Sequence, residues 1–157
     1  MHPPKRKILF VCMGNICRSP AAEIIFYDLV QKADRDAEFL IDSAGTIGLH
    51  QGNPPDARMR RHLAQKGYHV FGSSRKIVAN DLATFDLILV MDEANERDVK
   101  SLDPHGHYQS KIRRLTDFSN QHQMNEVPDP YYGGEEGFAQ VVKLIEDSCS
   151  GLLRSLS

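Results

Sequence analysis

The sequence predicts an α/β fold, a central four-stranded parallel sheet with helices on both faces. Three observations predict it. Short apolar runs at Lys7–Cys12 and Phe85–Asp92 are nearly continuous, as in strands buried on both faces. Segments between and after them carry apolar residues at helical spacing. Strand-like and helix-like segments alternate along the chain, which argues for parallel strands joined by helices.

The elements follow in order. "KILFVC" (Lys7–Cys12) is the first strand. Ser19 and Pro20 then read as a helix N-cap and a proline at the first helical position. Ala22, Ile25, Phe26, Leu29 and Val30 supply the apolar stripe of that helix. "EFLIDSAG" (Glu38–Gly45) is a second strand ending at glycine. Pro55–Gly67 reads as a polar-faced helix closed by Gly67. After the third strand, Phe85–Asp92, comes a helix over Glu93–Leu102. Lys111–Leu115 is a short fourth strand. Phe138, Val141, Val142, Ile145, Cys149, Leu152 and Leu153 mark a long amphipathic C-terminal helix, with Cys149 in its core stripe. The length of 157 residues predicts one domain, 1–157, and no internal repeat interrupts it.

Composition narrows the function classes. A net charge of -2, from 19 basic and 21 acidic residues, speaks against a general nucleic-acid or anionic-membrane binder. No apolar run is long enough for a transmembrane helix, and "MHPPKRKILFVC" lacks the apolar stretch of a signal peptide. Cys12, Cys17 and Cys149 are too few and too scattered for a disulfide framework, so a cytoplasmic protein with reduced thiols is expected. His105 and His107 lie in "DPHGHY", but no second pair has zinc spacing, so no metal and no cofactor is expected. Arg58, Arg60 and Arg61 read as a solvated helix face.

The chemistry concentrates in "VCMGNICRSP" (Val11–Pro20). Ligands of parallel sheets sit at the carboxyl ends of strands, and Cys12 lies at such an end. A tight loop leading from a strand into a helix offers backbone N–H groups and a helix dipole to an anion. This loop is no Walker loop, since it has no lysine. Cys12 opens it and Arg18 closes it. Amide donors around Cys12 favour a thiolate, a nucleophile at neutral pH. Arg18 is a planar fork suited to two phosphate oxygens. Asn15 tolerates a left-handed backbone. The pattern describes a thiolate attacking phosphorus while amides and Arg18 hold the remaining oxygens. Asp129, in "VPDPYYGG", could carry a carboxyl over the site from a loop, or be an ordinary Asp-Pro turn.

Cys-x5-Arg followed by serine resembles the signature of cysteine-dependent phosphatases. The fuller "VCMGNICRSP" is similar to that of the low-molecular-weight protein tyrosine phosphatases. The likeness extends in order through "DSAGT" (Asp42–Thr46), "PPDAR" (Pro54–Arg58), "FDLILVMDEAN" (Phe85–Asn95) and "DPYYGG" (Asp129–Gly134). It implies a flavodoxin-like fold, no metal, and hydrolysis of phosphotyrosine in proteins. Under it Cys12 is the nucleophile that becomes phosphocysteine. Arg18 binds the phosphoryl group, and Asp129 is general acid, then general base. Met13, Gly14, Asn15, Ile16, Cys17 and Ser19 form the phosphate-binding loop, with Ser19 bonded to the sulfur. Asn15 and Ser43 brace that loop. Asp92 either supports it or caps the next helix. Tyr131 and Tyr132 wall the substrate ring, and Leu49 and His50 line the same rim. Cys17 is either a small buried residue or the partner in a reversible disulfide that protects Cys12. A kinase acting on Tyr131 or Tyr132, and a tyrosine kinase as substrate, are open partner readings.

Two positions depart from the family pattern. Gly72 replaces a histidine found in many members, so its support for the loop is lost or comes from elsewhere. Leu49 replaces an aromatic. An arsenate reductase is disfavoured because no cysteine lies between Cys17 and Cys149. A protein-arginine phosphatase would resemble "CTGNTCRS", with threonine in place of Ile16. A silent phosphotyrosine-binding module remains the alternative from another class.

Overall fold

The computed structural model describes residues 5–131 and 134–156. Four parallel strands form one sheet: β1 (Arg6–Cys12), β2 (Phe39–Gly45), β3 (Leu87–Val90) and β4 (Ile112–Arg114), in the order β2-β1-β3-β4. This is the expected four-stranded parallel sheet. Among the described residues five α-helices accompany it: α1 (Arg18–Lys32), α2 (Ala57–Gln65), α3 (Ala79–Thr84), α4 (Glu93–Lys100) and α5 (Glu135–Ser155).

Alternation along the strands builds two cores. Ile8, Phe10, Cys12 and Leu89 face one side and pack with Phe26 of α1, Met59 and Leu63 of α2, and Phe138, Val142 and Ile145 of α5. Leu9, Val11, Ile88, Val90 and Ile112 face the other and pack with Leu82 of α3 and Val99 of α4. Helices therefore cover both faces, and the near-continuous apolar strands are explained. Cys149 is buried in the first core, as its stripe implied. The C-terminal half of α5 crosses close to the 3-10 turn Leu115–Phe118. A Cβ at Gly151 would lie 1.8 Å from the Phe118 carbonyl oxygen, so only glycine permits that crossing.

The order β2-β1-β3-β4 reverses between β1 and β3. Chain leaving β1 runs to one side of the sheet and chain leaving β3 to the other, so a crevice opens at their carboxyl ends. Cys12 ends β1, and Asp92 follows β3.

Two expectations need correction. Helix α1 starts at Arg18 with Cys17 as its N-cap, not at Ser19. The Ser19 hydroxyl is turned inward, and Pro20 is the third residue of the helix, where its missing N–H still costs nothing. Helix α3 was not foreseen, because its six residues are too few to show a period. It is fixed by Asp81, which accepts from the Val78 amide at 2.8 Å and pairs with Arg75 at 2.9 Å. Among the described residues, no helix is long and apolar enough to cross a membrane.

Candidate active site

The loop from Cys12 to Arg18 gains its shape from where its carbonyls go. The Cys12 carbonyl accepts from the Thr46 amide at 2.9 Å, and Met13 from Ile47 at 3.0 Å. Gly14 accepts from the Ser74 hydroxyl at 3.1 Å, Ile16 from the Asp56 amide at 2.7 Å, and Cys17 from Ala21 at 3.2 Å. Four of these carbonyls are tied to other segments, and that of Cys17 to the first turn of α1. In a trans peptide the following N–H points the opposite way. The amides after these carbonyls therefore converge on the loop's centre, an anion-binding nest at the N-terminus of α1. A Cβ at Gly45 would stand 2.7 Å from the Met13 carbonyl, so the end of β2 must be bare for the loop to lie against it.

Asn15 holds this shape from behind. Its φ of 56° is left-handed, as its residue type allowed. Its Nδ2 donates to Ser19 Oγ at 2.8 Å and to Ser43 Oγ at 3.0 Å, and its Oδ1 accepts from the Arg75 amide at 3.0 Å. Ser19 Oγ lies 3.0 Å from Cys12 Sγ and 3.4 Å from the Ala44 carbonyl. Asn15 donates to Ser19 Oγ, so that oxygen links the asparagine amide to the Cys12 sulfur and the end of β2.

Arg18 is 2 % exposed, yet three groups hold it. Nη1 donates to Asp92 Oδ2 at 2.6 Å and to the Val127 carbonyl at 3.0 Å, and Nη2 lies 3.5 Å from Asp129 Oδ2. Burial opposes its charge, but Cys12, Asp92 and Asp129 outweigh that, so its pKa rises above the ordinary value. Asp92 performs both tasks considered for it: its Oδ1 caps α4 by accepting from the Asn95 amide at 2.8 Å. Cys17 is buried, and burial, with the nearby Asp56 and Cys12, pushes its thiol pKa up.

Cys12, Met13, Gly14, Ile16, Cys17, Arg18, Ile47, Leu49, His50, Asp129 and Tyr131 line one cavity of about 130 Å³. The predicted nucleophile, cation, carboxyl and rim are thus brought together. Asn15, Ser19 and Ser43 stand behind the loop rather than in the cavity. Leu49 is 76 % exposed, an open wall. Tyr132 lies outside the described residues.

The matching family model is that of the low molecular weight phosphotyrosine protein phosphatases, over residues 7–157. The chain belongs to the low molecular weight phosphotyrosine protein phosphatase family. It is 48 % identical over 150 residues to a putative low molecular weight protein-tyrosine-phosphatase of Synechocystis sp., covering 96 % of each chain. A crystal structure of a protein tyrosine phosphatase from Entamoeba histolytica matches with a TM-score of 0.93 and 42 % identity, over 97 % of each chain. A structure of drosophila arginine phosphatase matches with a TM-score of 0.88 and 32 % identity, over 96 % of this chain and 97 % of that one.

Around Gly72 the loop is held by the Ser74 hydroxyl, which donates to the Gly14 carbonyl, and by the Arg75 amide, which donates to Asn15 Oδ1. Gly72 adopts a φ of 103°, which favours glycine, and the atom nearest a Cβ built there is Glu23 Oε1, at 3.8 Å. Ser43 Oγ donates to that oxygen at 2.6 Å. Sequence reasoning missed Glu23, which occupies an ordinary helix position with no local signal. It also misread Arg58. That side chain pairs with Asp56 at 3.2 Å and lies over the rings of Tyr131 and Phe138, because "PPDAR" brings α2 against α5.

Burial raises the Glu23 carboxyl to about 7. Asp42 adds to the rise, while the Ser43 hydroxyl and Arg75 act against it. A carboxyl raised on folding binds its proton more tightly in the native state. Stability is therefore greatest below the ordinary carboxylate range and falls as pH rises from there to about 7. Glu23→Gln keeps an acceptor for Ser43 and cannot ionise. In urea unfolding its stability relative to the wild type is expected to grow between pH 5 and pH 8, by on the order of 1–3 kcal/mol. Parallel stabilities at the two pH values would contradict this.

Proposed function

We propose that the protein hydrolyses phosphotyrosine in proteins through a phosphocysteine on Cys12. One observation carries the reading: the Cys12 sulfur, the inward-pointing loop amides, Arg18 and Asp129 all face the same small cavity. The substrate's phosphoryl oxygens occupy the amide nest, with Arg18 across them. The thiolate, helped by the Ser19 hydroxyl, attacks phosphorus. An S–P bond forms as the P–O bond to the tyrosine breaks, and Asp129 gives its proton to the leaving phenolate oxygen. Asp129, now a carboxylate, takes a proton from water. The water oxygen attacks phosphorus, the S–P bond breaks, and inorganic phosphate leaves with Cys12 again a thiolate. The fixed amides and the Arg18 cation, held by Asp92, stabilise charge on the equatorial oxygens in both steps without reorganising.

The substrate ring lies between Tyr131 and the Ile47, Leu49 and His50 side. Ile16, which lines the cavity, favours a flat phenyl ring. The likeness to drosophila arginine phosphatase makes phosphoarginine the second substrate to test. All three cysteines are free, which suits work in a reducing cytoplasm. A tyrosine kinase is one class of phosphotyrosine protein it would act on.

Wild type, Cys12→Ser and Asp129→Ala should be compared on p-nitrophenyl phosphate, a phosphotyrosine peptide and a phosphoarginine peptide. Cys12→Ser is expected to lose turnover on all. Asp129→Ala should lose roughly 10²–10⁴-fold on the phosphotyrosine peptide and less on p-nitrophenyl phosphate, whose leaving group needs the proton less. Faster wild-type turnover of phosphoarginine would reassign the substrate, and equal rates in wild type and Cys12→Ser would remove the mechanism.

Oxidation by peroxide should convert Cys12 to a sulfenic acid, which the Cys17 thiol then closes to a disulfide with loss of water. Both thiols line the cavity, which supports the pairing. Mass spectrometry after peroxide is expected to find the Cys12–Cys17 bond and thiol-reversible inactivation; irreversible inactivation without that bond refutes the guard role.

A further inference from the structure

The reaction described above gives Arg58 no task, yet its side chain, 33 % exposed, is engaged by two rings, a carbonyl and a carboxylate. Its guanidinium carbon lies 4.6 Å from the Phe138 ring centroid and 5.5 Å from that of Tyr131. Its Nη2 donates to the Tyr131 carbonyl at 2.9 Å. Its Nε is 3.2 Å from Asp56 Oδ1, and its Nη2 is 3.3 Å from Asp56 Oδ2.

Both ends of this contact are anchored. Asp56 caps α2, accepting from the amides of Arg58 at 2.8 Å and Met59 at 3.4 Å, and its own amide donates to the Ile16 carbonyl at 2.7 Å. At the other end the Tyr131 amide donates to Asp129 Oδ1 at 3.0 Å. One chain of contacts therefore runs from the phosphate loop at Ile16, through Asp56, Arg58 and Tyr131, to the Asp129 carboxyl.

The segment bearing Asp129 needs such a brace. Residues 119–131 include no helix or strand. The Val127 amide ties it to the Met91 carbonyl at 2.7 Å, and Arg18 holds the Val127 carbonyl. Past Val127, Asp129 approaches the loop through Arg18, at 3.5 Å. Proton transfer needs heavy atoms within about 2.6–3.2 Å, and a misplacement of about 1 Å costs on the order of 10²-fold. Arginine suits the brace, because its plane can stack on rings while its edge donates to a carboxylate and a carbonyl together.

We propose that Arg58 is a positioning residue. It holds the Asp129 segment against the phosphate loop, so that the Asp129 carboxyl reaches the leaving-group oxygen. The inference rests on the general-acid reading of Asp129 given above.

The test is kcat/KM over a series of aryl phosphates, from p-nitrophenyl to phenyl phosphate, for wild type, Arg58→Ala, Arg58→Lys, Asp129→Asn and the Arg58→Ala/Asp129→Asn double variant. Arg58→Ala is expected to lose up to ~10²-fold on phenyl phosphate and to change little on p-nitrophenyl phosphate. Its rates should depend more steeply on the leaving group. Arg58→Lys should fall between, keeping the cation without the planar fork. The double variant should match Asp129→Asn on phenyl phosphate, since a brace is worth nothing once the acid is gone. The amides of Val127, Asp129 and Tyr131 should exchange hydrogen faster in Arg58→Ala. An equal loss across the series, a loss additive with Asp129→Asn, or unchanged exchange would overturn the proposal. If Arg58→Ala fails to fold, Arg58→Lys carries the same comparisons. Wild-type turnover that does not depend on Asp129 would instead sink the general-acid reading, independently of the exchange measurement.

Discussion

The site hangs on the amide of one buried asparagine. Asn15 makes three hydrogen bonds, to Ser19 on α1, Ser43 on β2 and the backbone of Arg75, while its own backbone is left-handed. Losing that amide would leave buried polar partners unsatisfied at about 1–3 kcal/mol each, so the arrangement is strongly fixed. It joins three parts of the chain far apart in sequence and sets the direction of the peptides on either side of it. The convergence of the loop amides follows from that constraint and from the outward carbonyls.

Charge is organised around the same frame. A buried arginine at the start of α1, beside the Cys12 sulfur at the end of β1, and carboxylates after β3 and in the 119–131 segment would be costly apart. Together they offset one another. Arg18 takes Asp92 on one nitrogen and approaches Asp129 with the other. Asp92, which caps α4, is the rigid member; Asp129 lies further from Arg18 on an irregular segment, which suits the acid–base task proposed for it. Two carboxylates on one arginine thus differ by virtue of what else holds them.

Much of this was legible in the sequence. The double-sided burial of β1 and β3 is written in "KILFVC" and "LILV", because strands covered by helices on both faces cannot carry polar residues. Cys12, Arg18 and the left-handed Asn15 could be placed because a strand–loop–helix junction has few geometric solutions. The rest depends on distant partners. Ser19 looked like a helix cap because local preference favours one, but Asn15 and the Cys12 sulfur claim its hydroxyl. Arg58 looked solvated because α2 is polar on its own, and its ring partners are on the 119–131 segment and α5, more than 70 residues away. Glu23 belongs to a helix turn with no signal, and its burial arises where Gly72 passes over it.

The central claim is that Cys12 accepts the phosphoryl group. The most direct measurement is a rapid acid quench of the enzyme during turnover of a phosphotyrosine peptide, with the phosphoryl group located by peptide mass spectrometry. The account predicts a phosphoryl group on Cys12, present in wild type, enriched when Asp129→Ala slows its hydrolysis, and missing from Cys12→Ser. Steady turnover with no phosphoryl group on Cys12 under any quench time, or with the group on another residue, would contradict it.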